Sequence, residues 1–363
     1  MVTSERGRPS YPRLEIAVDR LRHNSETLVG LCRRSGIQVA GVTKAFCGNA
    51  VLAGAMAAGG VYALADSRID NLRRLRDSPL PKLLLRLPMI SQANDVVEHA
   101  DISLNSELET LRALSAAACR RGKIHRVILM VDLGDLREGF FDQAELFRAV
   151  AAAQKLEGIV VAGLGTNLTC YGGVIPTTAH LERLLSLSLR IEQDFGIGLE
   201  TVSGGNSSSL YLLGQGAIPH GITELRLGEA IILGRETAYG QPITGTHGDC
   251  FRLMVEIVEI KDKPSLPAGQ LGRDAFGRAP RFVDRGIRRR AICAVGRQDV
   301  DPQCLVPADA GIVVVGASSD HLIVDVTDSR ANYRVADTVP FGLTYAGILS
   351  CMTSEYVSKQ LVT

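Results

Sequence analysis

The sequence predicts an α/β protein, with a (β/α)₈ TIM-type barrel followed by a mainly β C-terminal domain. Two observations lead to this prediction. Between residue 12 and about residue 240, eight short apolar runs alternate with longer helix-like stretches, as in parallel βαβ units. After about residue 244, short strand-like runs are joined by Gly, Pro and Asp turns. We therefore place the barrel at 12–243 and the β domain at 244–363.

The barrel prediction rests on the order of strands and helices. The eight predicted strands are 37–43, 61–65, 82–87, 101–104, 126–131, 159–165, 200–203 and 224–227. The predicted helices between them include 20–35, 69–77, 106–121, 143–155 and 179–194. Asn105 or Ser106 can cap the third of these helices, with acidic residues in its first turn. An open doubly wound sheet is the alternative, but no G-x-G-x-x-G sequence follows the first strand.

The second half reads as a β domain with one long insert. Its predicted strands are 251–260, 290–295, 312–315, 321–326 and 338–343. Residues 261–289 are rich in Pro, Gly and charged residues, so we expect an extended or looped insert there. Whether residues 1–11 pack on this domain is left open by the sequence.

Composition narrows the class of protein. The chain has 363 residues, which suits a barrel of about 250 residues with an appended domain. A net charge of +1 and the absence of Trp argue against a nucleic-acid partner. No apolar run reaches the ~18 residues of a membrane span, and the first residues lack the apolar stretch of a signal peptide. Eight cysteines without C-x-x-C spacing argue against a zinc site or a disulfide framework. We expect a cytoplasmic enzyme with no metal and no membrane partner.

Reactive side chains follow several predicted strands. Lys44 ends the first strand, Arg137 follows the fifth and Asn167 ends the sixth. Because the C-terminal ends of barrel strands meet at one mouth, these side chains are expected to converge. An isolated lysine at a strand end is more often simply solvated. Lysine is, however, the residue that forms Schiff bases with carbonyl cofactors.

Two further segments follow the last two barrel strands. Residues 203–209 (SGGNSSS) combine glycines, which let the backbone approach a ligand, with hydroxyls suited to a phosphate. Residues 225–230 (LRLGEA) include the end of the eighth predicted strand and the residues just after it. Phosphate sites after strands seven and eight recur in barrels. Taken alone, 203–209 is more often a flexible loop or helix cap. Together with Lys44, it predicts pyridoxal 5′-phosphate (PLP), held by its aldehyde carbon and its phosphate.

These segments carry a family resemblance. The chain resembles the alanine racemase-like, fold-type III PLP enzymes, and most closely the ornithine racemase group of amino-acid racemases. The resemblance covers residues 11–356 and is most specific in 41–44 (GVTK), 101–107 (DISLNSE), 131–139 (VDLGDLREG), 165–170 (GTNLTC), 203–209 and 296–301 (GRQDVD). It implies a head-to-tail homodimer in which the partner's β domain completes each active site.

The resemblance also implies residue roles. Lys44 would be the Schiff-base lysine and one of two proton carriers, and Arg226 would face the pyridine nitrogen. Because arginine does not readily lose its proton, that nitrogen is expected to stay unprotonated. Asn167 takes the place of a histidine beside the ring. The implied cofactor contacts are Lys44, Asn167, Ser207, Arg226, Gly228, Glu229 and Tyr356, and the implied substrate contacts are Arg137, Arg297 and Ser319.

Two departures from the family pattern matter. Gly48 stands where alanine racemases have a tyrosine that contacts the phosphate. Arg297 stands where they have the tyrosine that serves as second acid/base, and arginine is a poor base. Racemisation needs a proton carrier on each face of the substrate's Cα, so another residue must act. The candidates left open are Asp299, Ser318, Ser319, Asp320 and Tyr345, with Asp299, Ser318 and Asp320 preferred.

Residues 316–321 (GASSDH) match the family loop that reaches into the partner's site. The alternative for Asp320 and His321 is a capped turn before the next strand. A substrate with a terminal ammonium needs an acidic pocket, and Asp299, Asp301 and Asp320 lie on β-domain segments expected near that site.

We therefore expect racemisation of ornithine, or of lysine, by two-base proton transfer at Cα. Four alternatives remain. They are an alanine, serine or broad-specificity racemase, a PLP-dependent diamino-acid decarboxylase, a non-catalytic PLP-binding protein, and a cofactor-free sugar-phosphate barrel.

Overall fold

The computed structural model of the protein describes residues 10–362. These residues form two compact units, one of Val18–Gly248 and one of residues 10–17 with 249–362. The first unit contains a closed barrel of eight parallel strands, and the second contains a largely antiparallel eight-stranded sheet. The predicted fold class is confirmed.

The strands, numbered in chain order, are β1 (Arg13–Ala17), β2 (Gln38–Val42), β3 (Ala63–Asp66), β4 (Lys82–Leu84), β5 (Ile102–Asn105), β6 (His125–Val131), β7 (Ile159–Thr166), β8 (Thr201–Ser203), β9 (Glu224–Leu227), β10 (Phe251–Pro264), β11 (Ile287–Cys293), β12 (Leu305–Pro307), β13 (Val313–Ala317), β14 (Leu322–Asp325), β15 (Thr338–Leu343) and β16 (Ser358–Val362).

The helices are α1 (Val18–Arg33), α2 (Ala50–Ala58), α3 (Ile69–Arg74), α4 (Ala93–His99), α5 (Leu108–Arg120), α6 (Gln143–Ala153), α7 (Thr178–Phe195), α8 (Leu210–Gly214), α9 (Glu229–Leu233) and α10 (Tyr345–Thr353). Short 3₁₀ turns occur at Lys44–Phe46, Ile90–Gln92, Ser207–Ser209 and Pro302–Cys304. No helix in the described range is both long enough and apolar enough to cross a membrane.

The barrel closes from β2 to β9 in sequence order, with β9 pairing back onto β2. Side chains alternate between the two faces of a strand. A Cβ on Gly41 would lie 3.2 Å from Met56 of α2, so Gly41 faces the helices. Ala40 and Val42 therefore face the barrel interior, where they belong to a buried core cluster. Arg226 is level with Ala40 in the strand register and faces the same interior.

The sheet of the second unit has the order β12-β15-β10-β11-β14-β13, and β1 adds to it by pairing with β10 and β16. The sequence-based boundary had placed β1 with the barrel. Leu14 and Ile16 are fully buried while their neighbours are half-buried. This alternation is typical of a sheet with one buried face, whereas barrel strands are buried on both faces.

The predicted insert 261–289 differs from the structure at both ends. β10 continues through Pro264 and β11 begins at Ile287, so that Asp262 pairs with Arg289 and Lys263 with Arg288. Only residues 265–286 lie outside these strands. Charged residues suit this partly exposed ribbon, but they conceal the strand pattern in the sequence.

The open question about residues 1–11 falls mostly outside the described residues, which begin at residue 10. The last part of that segment contacts β16. The Ser358 hydroxyl donates to the Ser10 carbonyl at 3.0 Å, and the Ser358 N–H donates to the Pro12 carbonyl at 3.0 Å.

Candidate active site

Lys44 lies directly after β2, at the start of a 3₁₀ turn, and is half-buried. The turn is held by its neighbour Thr43, whose hydroxyl donates to Asp66 Oδ2 at 2.7 Å. Asp66 also accepts from the Arg68 N–H and from Asn71 Nδ2, both at 2.9 Å. These hydrogen bonds fix the backbone that carries Lys44 to the end of β3 and to α3.

Gly48 lies four residues after Lys44 and has φ of 62°. A Cβ at this position would lie 2.7 Å from the Asn71 carbonyl oxygen. The backbone conformation and the packing both exclude a side chain here, so the tyrosine of the alanine racemase pattern has no equivalent in this chain.

We expect Gly48→Ala to lower the free energy of unfolding by about 1–3 kcal/mol, since it adds both backbone strain and a clash. Gly54→Ala in α2 is the matched control, because a Cβ there meets no atom within 4 Å. The control is expected to be neutral or to stabilise by up to about 1 kcal/mol. Urea denaturation of both variants tests this, and equal stabilities would contradict it.

Arg226 is almost fully buried near the end of β9. Its Nη2 donates to the Thr166 carbonyl at 2.6 Å and to Asn167 Oδ1 at 2.8 Å. Nη1 donates to the Ser203 hydroxyl. The Glu224 carboxylate lies 3.6 Å from Nη1. Residues of three neighbouring strands or strand ends therefore hold the guanidinium in one orientation.

The carboxylate of Glu224 is itself hydrogen-bonded on both oxygens. Ser203 donates to Oε1 and Tyr62 donates to Oε2. Burial, followed by the charge of Glu224, raises the pKa of Tyr62, so the phenol remains a donor. Glu224 supplies a buried negative charge beside Arg226, and this partly offsets the cost of burying the arginine.

The loop after β6 is closed on itself. Phe140 N–H donates to the Met130 carbonyl at 2.8 Å, and Asp132 N–H donates to the Phe140 carbonyl at 3.1 Å. Gly139 has φ of 122°, and a Cβ there would lie 2.5 Å from the Asp132 nitrogen. Only glycine permits this close return of the chain. Arg137 and Glu138 are thus presented by a rigid loop.

Asp135 ties this loop to the loop after β7. Its carboxylate accepts backbone hydrogen bonds from Thr169, Cys170, Tyr171 and Val174 at 2.9 to 3.1 Å. Burial alone would raise the pKa of Asp135, but these hydrogen bonds outweigh burial and hold the pKa below its ordinary value. The two loops therefore form one connected rim.

Within this rim, Glu138 bridges Arg137 and Asn167. Arg137 donates from Nε to Glu138 Oε2, and from Nη2 to Oε1 at 2.6 Å. Asn167 Nδ2 also donates to Glu138 Oε1. Burial would raise the pKa of Glu138, but Arg137, Asn167 and the charge of Arg226 together hold it below its ordinary value. Glu138 was not among the predicted site residues, although it adjoins Arg137.

Lys44, Arg137 and Asn167 each follow a strand of the same parallel barrel, namely β2, β6 and β7. The C-terminal ends of parallel barrel strands lie at one mouth of the barrel. Glu138 joins Arg137 to Asn167 there through hydrogen bonds to both side chains.

The segment after β8 forms a 3₁₀ turn at Ser207–Ser209, capped by Asn206. Asn206 Oδ1 accepts from the Ser208 N–H at 2.8 Å, and Ser207 Oγ accepts from the Ala230 N–H at 3.1 Å. The second of these bonds joins the turn to the start of α9. The two segments predicted to bind a phosphate are therefore in contact.

Ser208 offers a direct test of whether a phosphate group fits here. Its hydroxyl is buried, and Oγ has no hydrogen-bond partner among residues 10–362. Leaving a buried hydroxyl unpaired costs about 1–3 kcal/mol, and a phosphate oxygen would accept its hydrogen. The donor set at 206–209 thus fits the phosphate of PLP.

Glu229 also lies at this point, next to Gly228, at the start of α9. Its carboxylate accepts from Arg235 Nη2 at 2.9 Å. Because a carboxylate has the same sign of charge as a phosphate, any contact of Glu229 with the cofactor has to come from its backbone.

In the second unit, Arg297 is held by two oxygen atoms. Nε donates to the Ala317 carbonyl at 3.1 Å and Nη1 donates to Asp301 Oδ2 at 2.8 Å. Its backbone N–H donates to the Ser318 carbonyl at 2.9 Å. A Cβ on Gly296 would lie 2.0 Å from the Ser319 carbonyl oxygen. The segments 296–301 and 317–321 therefore pack tightly against one another.

The candidate proton carriers of this unit differ in exposure. Asp299 is buried and accepts from the Ser354 hydroxyl at 2.7 Å. Asp320 is exposed and accepts from the Ser319 hydroxyl at 2.8 Å. Ser318 Oγ accepts from the His321 N–H at 3.1 Å. The capped turn considered for Asp320 and His321 is therefore present.

Two predicted residues lie near the C-terminus of this unit. Tyr345 is half-buried at the start of α10. Tyr356 is 67% exposed and its N–H donates to the Ser354 hydroxyl at 3.1 Å.

Comparison with known proteins identifies the family. Residues 16–236 match the family described as alanine racemase, N-terminal domain. Over 97% of this chain and 100% of the relative, the sequence is 49% identical to an ornithine racemase of Acetoanaerobium sticklandii. It is 40% identical to a lysine racemase of Thermotoga maritima, over 96% of this chain and 98% of the relative.

A similar solved structure is that of alanine racemase from Bartonella henselae with covalently bound pyridoxal phosphate. The TM-score is 0.75 at 17% identity, covering 98% of this chain and 100% of that one. At this identity the likeness shows the fold alone. The family match over most of the barrel, together with full-length relatives, establishes that the chain belongs to the alanine racemase N-terminal domain family.

Proposed function

We propose that this protein is a PLP-dependent amino-acid racemase that interconverts the L and D forms of ornithine. One observation carries the proposal. Lys44 opens the turn after the first barrel strand, and the buried Ser208 hydroxyl, which has no hydrogen-bond partner among residues 10–362, lies on the turn after the seventh. The 49% identity to an ornithine racemase supports the reaction and the substrate.

The barrel unit is the PLP-binding domain in this proposal. Lys44 would bind the aldehyde carbon, and Ser207, Ser208 and the start of α9 at Gly228 would hold the phosphate. Arg226 would hold the ring nitrogen, with Asn167 as a further ring contact. When bound, PLP withdraws electrons from the substrate's Cα and so stabilises the negative charge left by proton loss.

The chain's own residues move the protons. Lys44 Nζ carries the proton on one face of Cα, as the position of its turn supports. The second carrier comes from the β unit of a second copy in a homodimer. Asp320 is favoured over Asp299, because Asp320 is exposed whereas Asp299 is buried and bonded to Ser354. Ser318 shares the loop of Asp320.

The β unit also supplies the substrate contacts Arg297 and Ser319, and Tyr356 supplies a further phosphate contact. Asp301 is already paired with Arg297. Because Asp320 is assigned to proton transfer, we assign the terminal ammonium to Asp301, whose side chain is still 41% exposed. Eight free cysteines support a reducing, cytoplasmic location.

Lysine is the second candidate substrate, since a relative at 40% identity is a lysine racemase. We expect kcat/KM, measured by chiral chromatography, to be highest for L-ornithine, with L-lysine next. L-alanine is expected to be about 10- to 100-fold slower, because it lacks the charged group that the acid binds. A higher kcat/KM for L-alanine than for L-ornithine would contradict the proposed substrate.

A further inference from the structure

Glu138 makes contacts for which the proposed roles of its neighbours do not account. It lies between Arg137, the proposed substrate-carboxylate arginine, and Asn167, which is proposed to lie beside the cofactor ring. Oε1 accepts from Arg137 Nη2 at 2.6 Å and from Asn167 Nδ2, while Oε2 accepts from Arg137 Nε. Both carboxylate oxygens are therefore engaged by neighbouring side chains.

The contact with Arg137 uses one edge of the guanidinium. Glu138 binds the edge formed by Nε and Nη2. Nη1 makes no hydrogen bond within residues 10–362 that would occupy the other edge. A guanidinium presents two such edges, and each can bind a carboxylate through two parallel hydrogen bonds. The Nη1/Nη2 edge of Arg137 is thus suited to a second carboxylate.

The side chains of Glu138 and Arg137 differ in their exposure to solvent. The Glu138 side chain is 12% exposed, whereas that of Arg137 is 41% exposed. The carboxylate is enclosed and already accepts three hydrogen bonds, so it is poorly placed to carry a proton or to bind an ammonium. The arginine remains open to a ligand.

Asn167 extends the contact into the barrel. Its Nδ2 donates to Glu138, and its Oδ1 accepts from Arg226 Nη2 at 2.8 Å. The amide is therefore oriented by a carboxylate on one side and by a cation on the other. A continuous path of hydrogen bonds runs from Arg137 through Glu138 and Asn167 to Arg226.

We propose that Glu138 is a positioning residue, which turns Arg137 so that its free edge receives the substrate's α-carboxylate and holds the amide of Asn167 against Arg226. This rests on the proposed function, because both arginines act there on the amino acid or its cofactor. The closed loop around Gly139 and the anchor at Asp135 keep Glu138 in place.

The test compares two ligands on the PLP-loaded protein by calorimetry. L-Ornithine carries an α-carboxylate, and 1,4-diaminobutane is the same molecule without it. Glu138→Gln is expected to raise the Kd for L-ornithine about 10-fold, since it removes a charge-assisted hydrogen bond to Arg137. Binding of 1,4-diaminobutane is expected to change less than about 2-fold, since that ligand has no group for Arg137 to bind.

Three further variants test whether the effect of Glu138 passes through Arg137. If Glu138 acts through Arg137, the double variant Arg137→Ala/Glu138→Gln is expected to bind L-ornithine no more weakly than the single variant Arg137→Ala. Glu182→Gln, on an exposed position of α7, is the control and should match the wild type. Equal weakening of both ligands, or additive effects of the two substitutions, would overturn the proposal.

Cofactor content, thermal stability and racemisation are measured on the same preparations. Glu138→Asp keeps the charge and is expected to retain part of the preference for L-ornithine. If both Glu138 variants lose PLP or unfold, Glu138 supports the fold and the positioning role is wrong. A wild type that does not racemise ornithine contradicts the proposed function. An active wild type with an unchanged Glu138→Gln variant contradicts only the role of Glu138.

Discussion

Replacement of Lys44 by alanine is expected to reduce ornithine racemisation at least about 1,000-fold, because it removes both a proton carrier and the point of covalent attachment. Borohydride is expected to fix PLP onto the wild-type protein but not onto the variant. Chiral chromatography gives the first result, and mass spectrometry of the reduced protein locates the cofactor.

Lys155→Ala is the matched control, since Lys155 is exposed just after α6. We expect it to match the wild type in both measurements. A Lys44→Ala protein that still racemises ornithine at more than a tenth of the wild-type rate would remove Lys44 from the mechanism.

Replacement of Arg226 by methionine is expected to destabilise the barrel by about 3–5 kcal/mol. The reason is Glu224, which is about 1% exposed and lies 3.6 Å from the guanidinium. Removing one partner of a buried ion pair leaves the other charge without compensation. Guanidinium denaturation of the cofactor-free protein, monitored by circular dichroism, measures the change.

The second substitution in this series is Glu224→Gln. In the Arg226→Met background, it removes the uncompensated charge and is expected to recover about 1–3 kcal/mol. In the wild-type background it is expected to be destabilising. If Glu224→Gln has the same effect in both backgrounds, Glu224 and Arg226 are not coupled and the buried charge is not the cause.

Barrel strands were well predicted where both faces are buried. β9 has the predicted bounds, and β6 and β7 differ from prediction by one residue at one end. Both faces of such strands are covered, so β6 and β7 are almost continuously apolar, whereas β9 (ELRL) carries a buried pair of charged residues, Glu224 and Arg226. Lys44, Arg137 and Asn167 could be found for the same reason, since each follows a strand whose end is clear in the sequence.

The partners of those residues could not be predicted in this way. Tyr62 and Glu224 are 162 residues apart in sequence, and Asn167 is hydrogen-bonded both to Glu138 and to Arg226, which lie on different strands or loops. A glutamate within or after a strand gives no sign of which distant side chain will satisfy it. Glu138 has one local signal, which is its position next to Arg137 in a loop closed by glycine.

The β unit was harder to predict because its strands are short or partly charged. β16 and α10 follow without a clear turn signal, and the ribbon formed by β10 and β11 carries charges on its exposed residues. The family resemblance places Arg297 at the position of the second acid/base, and the preferred candidates to replace it lie on two separate segments, 296–301 and 317–321.

Incubation of L-ornithine with the purified protein in D₂O is the most direct test of the proposed racemase, with Cα deuteration and optical configuration followed together. We predict that D-ornithine accumulates until it equals L-ornithine, that both enantiomers acquire deuterium at Cα, and that no diamine forms. Loss of the carboxyl group, or an unchanged optical rotation with PLP bound to Lys44, would contradict an ornithine racemase.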